Sequence, residues 1–358
     1  MASQNRPENP ASTLEALSVF AQRDQLEPPE TYRAALDAVR EVLSQQGGLL
    51  HLPDLPTIVI PDLHARRAML IALISAQLEE GPYAGRQVFE LLQQGLINVV
   101  CVGDIVHSEE RSHWVINTDG EWTAELLDKE MVRSLGAAAM VMYLKMQYPD
   151  HFHCLRGSHD DLAGELEAGF RKYVGLKYND QGEMVFVDDR PVLTADKGEV
   201  EIVRDWVLSR EGWGPSFVDA WGQFDRALPL LAQGVYYVIS HTLPHVPLSA
   251  EEIRDPHRPR EVTKELTWRR GANRVAIEGT LEQLGIKDTV QRWFHGHTPV
   301  PQEQHGGKYA ESLDGLLLRL NNQKQYVFAY VPASTDERRF DPTRDVYIKS
   351  PAEDTFHR

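Results

Sequence analysis

Cysteine is almost absent from this 358-residue chain: only Cys101 and Cys154 occur, each inside an apolar run, so no disulfide framework is implied and a reducing compartment is expected. No stretch approaches the roughly 20 apolar residues that a membrane span needs, and the opening Met1-Ala2-Ser3-Gln4-Asn5-Arg6-Pro7-Glu8 lacks the apolar core of a signal peptide. A cytoplasmic protein with no membrane partner is the simplest expectation. Basic charge is also short, with 37 Lys and Arg against 53 Asp and Glu and a net charge of −16. That balance argues against a nucleic acid duplex as partner, because phosphate binding relies on a basic surface. There is no Gly-rich nucleotide loop, no zinc-finger spacing and no internal repeat, and oligomeric state cannot be read. What remains is ordinary globular composition, 42% hydrophobic, in a chain long enough to bury a substantial core.

Five short apolar runs each stop at a residue able to bind a metal. Thr57-Ile58-Val59-Ile60 leads into Pro61-Asp62-Leu63-His64, and Val99-Val100-Cys101-Val102 into Gly103-Asp104. Phe152-His153-Cys154-Leu155 leads into Arg156-Gly157-Ser158-His159-Asp160, Val235-Tyr236-Tyr237-Val238-Ile239 into Ser240-His241, and Arg292-Trp293-Phe294 into His295-Gly296-His297-Thr298. Runs of this length without polar alternation suit strands buried on both faces, and ligands of such sheets bind beyond the strand carboxyl ends. The five ends would then converge on one edge. A mixed carboxylate and imidazole set favours two divalent ions of the Mn, Fe or Zn kind over calcium. Two such cations can clamp a phosphoryl group and acidify a water, so the pattern reads as metal-assisted phosphoester hydrolysis.

At these residues the chain resembles the calcineurin-like metallophosphoesterases, and in particular their serine/threonine protein phosphatase branch. The five motifs stand in the family's order: Pro61-Asp62-Leu63-His64-Ala65, Gly103-Asp104-Ile105-Val106-His107-Ser108-Glu109, Gly157-Ser158-His159-Asp160, His241 and Gly296-His297-Thr298. Phe224-Asp225-Arg226-Ala227-Leu228-Pro229-Leu230, Trp268 and Asn273-Arg274-Val275 continue the likeness to that branch between the motifs. The resemblance implies a four-layer α/β-β/α sandwich. It assigns Asp62 and His64 to the first metal and Asp104 to both. His241, His297 and Ser158 fall to the second metal, Ser158 standing where the family has Asn. It further implies that His159 is the general acid and that Arg274 grips the phosphate oxygens, where a planar guanidinium fits well. Asp160, which closes the third motif, is grouped with the catalytic residues, the competing role being a cap on a helix near 161–162. The implied substrate is a phosphoprotein or a small phosphate ester, attacked by hydroxide generated at the metals.

Several positions depart from the family. A serine hydroxyl at 158 is a shorter and poorer donor than an amide oxygen. His107 and Ser108 replace an orienting Asp and a phosphate-binding Arg, for which Arg111 or Arg156 are candidate substitutes. Pro61 and Ala65 replace glycines that let the backbone turn beside the metal. Pro299 follows Gly-His-Thr where many relatives carry a second His. The rival reading is therefore a descendant of weakened or lost activity that binds a partner or a phosphorylated ligand. His153 and His295 read as packed histidines rather than ligands.

Along the chain, residues 1–50 form a helical extension with helices at 13–22 and 29–45, followed by a catalytic domain over 51–335 and a tail over 336–358. Within the domain, helices are expected at 66–80, 86–94 and 121–147. An insertion around 164–228 carries a hairpin at 184–187 and 191–194, then helices at 199–209 and 215–225. Strands at 315–320 and 326–330 close the body.

Overall fold

Neighbouring residues of the buried strands face different cores, and this alternation builds the layers. Ile58 and Ile60 pack among helices on one side, whereas Val59 between them packs against the other sheet. Val99 and Cys101 alternate in the same way with Val100 and Val102. In the second sheet Val238, Trp293 and Leu317 face an outer helical layer, while Ile239, Phe294 and Leu318 face inward. Side chains of a strand point to opposite faces in turn, so two sheets with apolar residues at both parities require a core between them and one outside each. That is the expected four-layer α/β-β/α sandwich.

The computed structural model describes residues 9–108, 124–163, 166, 186–187, 190–191, 199–322 and 324–349. Helices α1 (Leu14–Ala21) and α2 (Pro29–Ser44) come first, then strands β1 (Leu49–His51) and β2 (Thr57–Ile60). Helices α3 (Arg67–Ile74) and α4 (Val88–Gln93) lead to β3 (Asn98–Cys101), α5 (Ala124–Gln147) and β4 (Phe152–Cys154). The insertion contributes β5 (Phe186–Val187), β6 (Arg190–Pro191), α6 (Glu199–Ser209) and α7 (Gly214–Ala227). Strands β7 (Leu231–Gln233) and β8 (Tyr237–Ser240) follow, with helices α8 (Ala250–Arg254), α9 (Arg260–Thr267) and α10 (Arg274–Gln283) before β9 (Arg292–His295). The chain ends through β10 (Ala310–Ser312), β11 (Leu317–Arg319), β12 (Tyr326–Val331), α11 (Pro342–Asp345) and β13 (Val346–Lys349).

One sheet has the order β13-β12-β2-β3-β4, and the other β1-β7-β8-β9-β11-β10. Strands β2, β3 and β4 run parallel, as do β8 and β9, so their carboxyl ends lie on one edge. The short strands β1, β7, β10 and β13 were not expected from the sequence. All four lie at or next to sheet edges and span only three or four residues, so none carries a long apolar run. The segment read as a tail contributes β13, paired antiparallel to β12 with Val346 opposite Ala329. Helix α3 stops at Ile74 rather than near 80: Ser75 caps it, and Gln77 bridges Gln87 antiparallel across a turn in which Gly81 and Gly85 take positive φ (84° and 80°). Tyr32, Ala35, Leu36, Val39 and Leu43 form the buried stripe of α2, and Tyr32 meets Trp213 at 5.5 Å, fastening the extension to the body. Of the insertion, the hairpin pairs Val187 with Arg190, and Trp221 of α7 donates its indole N–H to the Asp160 carbonyl at 2.9 Å. The insertion therefore reaches the strand-end loops. Arg111 lies outside the described residues.

Candidate metal centre

The loops after β2 and β3 are laced together by backbone hydrogen bonds. Leu63 N–H donates to Gly103 O at 3.2 Å, His64 N–H to Asp104 O at 2.6 Å, and Ala65 N–H to Ile105 O at 2.9 Å. Reaching this register puts His64, Ala65 and Asp104 in the left-handed region, with φ of 43°, 57° and 50°. Such backbone persists only where surrounding bonds hold it, and it concentrates at functional sites. Ala65 thus adopts the turn that a glycine would make more easily. Across the sandwich, Gly296 leaves no room for a side chain, since a Cβ there would collide with the Asp62 carboxylate.

Two donor triads result. Asp62, His64 and Asp104 form one, and Asp104, His241 and His297 the other, with the donor atoms of each within 4.8 Å of one another. All five side chains are buried. Asp104 Oδ2 lies 3.5 Å from His64 Nε2 and 3.4 Å from His241 Nε2. The other nitrogen of each ring faces a backbone carbonyl: His64 Nδ1 is 3.0 Å from His107 O, and His241 Nδ1 is 3.1 Å from Val102 O. Donation of Nδ1–H to these carbonyls leaves the Nε2 lone pair turned toward Asp104, the arrangement metal-ligating imidazoles need. His297 Nε2 is buried without a hydrogen-bond partner among the described residues, while its backbone N–H donates to both Asp62 oxygens at 3.1 Å. The ring nitrogen that faces the cluster is Nδ1, 3.2 Å from His241 Nε2, and two imidazole nitrogens converging beside the Asp104 carboxylate fit a cation.

The charges are tightly balanced. Burial opposes ionisation of Asp104, yet His241, His159, His64 and His297 around it hold its carboxyl well below the usual range. Burial likewise opposes charging of His241, but Asp104 and Asp62 push it up to about 9. Burial and the neighbouring His241 push His297 down to about 3. Metal binding here would displace a proton from His241, because a ligating imidazole must be neutral.

Ser158 lies at the meeting of both triads, its Oγ 3.3 Å from Asp104 Oδ1 and 3.3 Å from His297 Nδ1. His159 is fixed by its backbone N–H, which donates to Asp104 Oδ1 at 2.8 Å. Its ring packs 5.1 Å from that of His64, 5.8 Å from His107 and 6.3 Å from Trp268. Asp160 has a bridging place: its carboxylate accepts from Ile105 N–H at 2.7 Å and Gly157 N–H at 2.8 Å, tying the β3 loop to the β4 loop. Residues 161–163 are not helical, so Asp160 caps no helix there. Burial and the charge of Asp104 push it up to about 6 despite those bonds.

Arg274 is not brought to this cluster. It opens α10 with its side chain about half exposed, and its ion-pair partners are Asp314 at 2.9 Å and Glu278 at 3.5 Å. Arg156 is buried against Asp225 and Asp161, a structural pairing rather than a phosphate grip. Sequence reasoning missed Arg66, whose guanidinium donates to the carbonyls of Asp62, Leu63 and Asn322 and so clamps the first motif from behind. It also missed Arg269 and Arg319, which line a cavity sharing the His297 wall. No spacing signal marks any of the three.

A family model described as calcineurin-like phosphoesterase matches residues 55–301, more than half of the chain. No curated protein matches it significantly. Among solved structures, a protein serine/threonine phosphatase from Saccharomyces cerevisiae, with similarity to human phosphatase PP5, superposes with a TM-score of 0.54 at 15% identity. The match covers 91% of this chain and 90% of that one and shows a shared fold. A cold-active protein-tyrosine phosphatase of a psychrophilic Shewanella species is more distant, at TM-score 0.41 and 12% identity over 82% of this chain and 79% of that one. None of the helices among the described residues is long and apolar enough to cross a membrane.

Proposed function

Since this chain belongs to the calcineurin-like phosphoesterase family, we propose that it is a metal-dependent phosphomonoesterase acting on a phosphorylated substrate, a phosphoprotein or a small ester. The observation that carries the reading is the pair of donor triads sharing Asp104. In this reading Asp62, His64 and Asp104 hold one divalent cation, and Asp104, Ser158, His241 and His297 hold the other. Bound there, two ions of the Mn, Fe or Zn kind would supply Lewis acidity toward phosphoryl oxygens and an acidified water as nucleophile.

The chain's own groups do the rest. His159, anchored through its backbone to Asp104, delivers a proton to the leaving oxygen. Trp268, whose ring centre lies 5.9 Å from that of His297 and 6.3 Å from that of His159, packs beside both rings and restricts their orientation. Asp160 keeps the loops bearing Asp104 and His159 at fixed separation. Cys101 and Cys154, free and buried, support a reducing, cytoplasmic setting. The rival reading, a binding protein without turnover, draws on Ser158, His107 and Ser108. Loading purified protein with Mn, counting bound metal by elemental analysis and assaying a chromogenic phosphate ester separates them. Two metals with turnover support the enzyme; one or none without turnover overturns it.

A further inference from the structure

A cavity of about 180 Å³ opens beside His297 on the helical side of the six-stranded sheet. Its floor follows from strand parity: His295 lies two residues after Trp293, and Arg319 two after Leu317, so both continue the outward face where that core ends. Thr242, Thr298 and Ser312 give it a polar wall. Two further charged groups face the space, and each has a partner: Arg269 is held by Glu265 at 2.7 Å, and Glu311 by Arg292 at 3.7 Å. Arg319 differs. Its Nε is buried with no hydrogen-bond partner, and it forms no ion pair among the described residues. The rest of this half-buried guanidinium has no acceptor among the described residues, so its donors are open to an oxyanion entering the cavity.

We propose that this cavity is a leaving-group subsite in which Arg319 binds a second anionic group, a carboxylate or phosphate, carried by a small phosphate ester. The position fits, because the cavity and the donor cluster share His297, so a group at Arg319 is a short linker away from the reacting phosphoryl. Its volume fits too, since a cavity of about 150 Å³ accommodates a benzene ring. A planar guanidinium binds an oxyanion with two parallel bonds, and Glu311, also lining the cavity, is held by Arg292 rather than by Arg319. The inference takes its substrate class from the phosphoesterase reading, so its test carries a second readout that needs no turnover.

In Mn-loaded full-length protein, kcat/KM is compared for 4-carboxyphenyl phosphate and phenyl phosphate. The wild type should prefer the carboxylated ester by about tenfold or more, as a charge-assisted hydrogen bond allows. Arg319→Gln should bring that ratio near one, and Arg319→Lys should retain part of it. Ser312→Phe, which fills the cavity from the neighbouring strand β10, should abolish the ratio independently of the charge. Calorimetric titration with phosphonoacetate and methylphosphonate, which are not hydrolysed, should show the same preference and the same loss. Arg319-dependent binding without turnover of either ester would overturn the enzyme reading and leave the subsite standing. Equal ratios in wild type and Arg319→Gln by both readouts would overturn the subsite. A dependence on Arg319 seen only with acidic phosphopeptides would overturn the small-ester assignment.

Discussion

Asp62, His64 and Asp104 all come from loops of one sheet, whereas His241 and His297 approach the same Asp104 carboxylate from the other sheet across the sandwich. The first half is locked before any ligand arrives, by three backbone bonds between its loops, by Arg66 behind Asp62 and by Asp160 across the β3 and β4 loops. The second half depends on the two sheets keeping their distance, through His297 N–H on Asp62, while Gly296 N–H donates to His241 O at 3.1 Å within the six-stranded sheet. It also relies on a serine hydroxyl at 3.3 Å and borders an open cavity. On the proposed metal reading, the difference predicts a tight first metal and a weaker second one that share Asp104.

The change that should hurt most is at the shared residue. Asp104→Asn removes the charge between two cations that otherwise repel, so both halves should fail together. Activity should fall by at least about a hundredfold, beyond the cost of losing an outer partner of a metal ligand, with metal content reduced at both sites. Full activity and full metal content in the folded variant would dissolve the distinction between shared and private donors.

His159 belongs to neither half, and its removal should leave metal content intact. His159→Ala is expected to slow an ester with a poor leaving group about 10²–10⁴-fold. Nitrophenyl phosphate should lose far less, because nitrophenolate departs without a proton. Equal losses on both esters would reduce His159 to a structural residue beside His64.

Asp160 probes how strongly the first half is preset. Its carboxyl sits at about 6 in the fold against 3.8 unfolded, so the folded protein holds the extra proton between those values. The stability this group contributes is fully present below pH 3.8 and is lost as pH rises through about 6, at a slope approaching about 1.4 kcal/mol per pH unit. Urea unfolding of metal-free wild type and Asp160→Asn over pH 4 to 7 should therefore diverge by that slope. Parallel curves would show that the loops are set by other contacts.

Ser158→Asn addresses the weaker half directly. An amide oxygen reaches farther and donates better, so the variant should reach half-maximal activity at several-fold lower Mn while leaving the tighter site unchanged. An unchanged Mn dependence would mean that the second half is already complete. The smallest effect is expected at Arg274, whose exposed pairs with Asp314 and Glu278 contribute little. Arg274→Ala should change kcat/KM by less than about threefold, and a large loss would bring Arg274 back to the phosphate.

Most of this arrangement was legible where strand and ligand adjoin in the chain. Thr57–Ile60 stands where it was expected, and five apolar runs ending in Asp or His were enough to place the edge. What escaped depends on contacts distant in sequence. Arg66 reaches Asn322, Asp160 reaches Ile105, and Arg319 faces the cavity only because β11 pairs with β9. Arg274 shows the converse, since a motif match located the residue in the chain but not the direction of its side chain. The edge strands β1 and β13 were invisible because three or four residues carry no readable period.

The central claim is that one carboxylate joins two metal sites, and electron paramagnetic resonance of the Mn-loaded protein tests it most directly. Two Mn ions bridged by Asp104 and roughly 3.5–4 Å apart should give an exchange-coupled spectrum at a stoichiometry of about two, lost in Asp104→Asn. An uncoupled six-line spectrum from wild type at full loading, or a coupled spectrum that survives in Asp104→Asn, would contradict it.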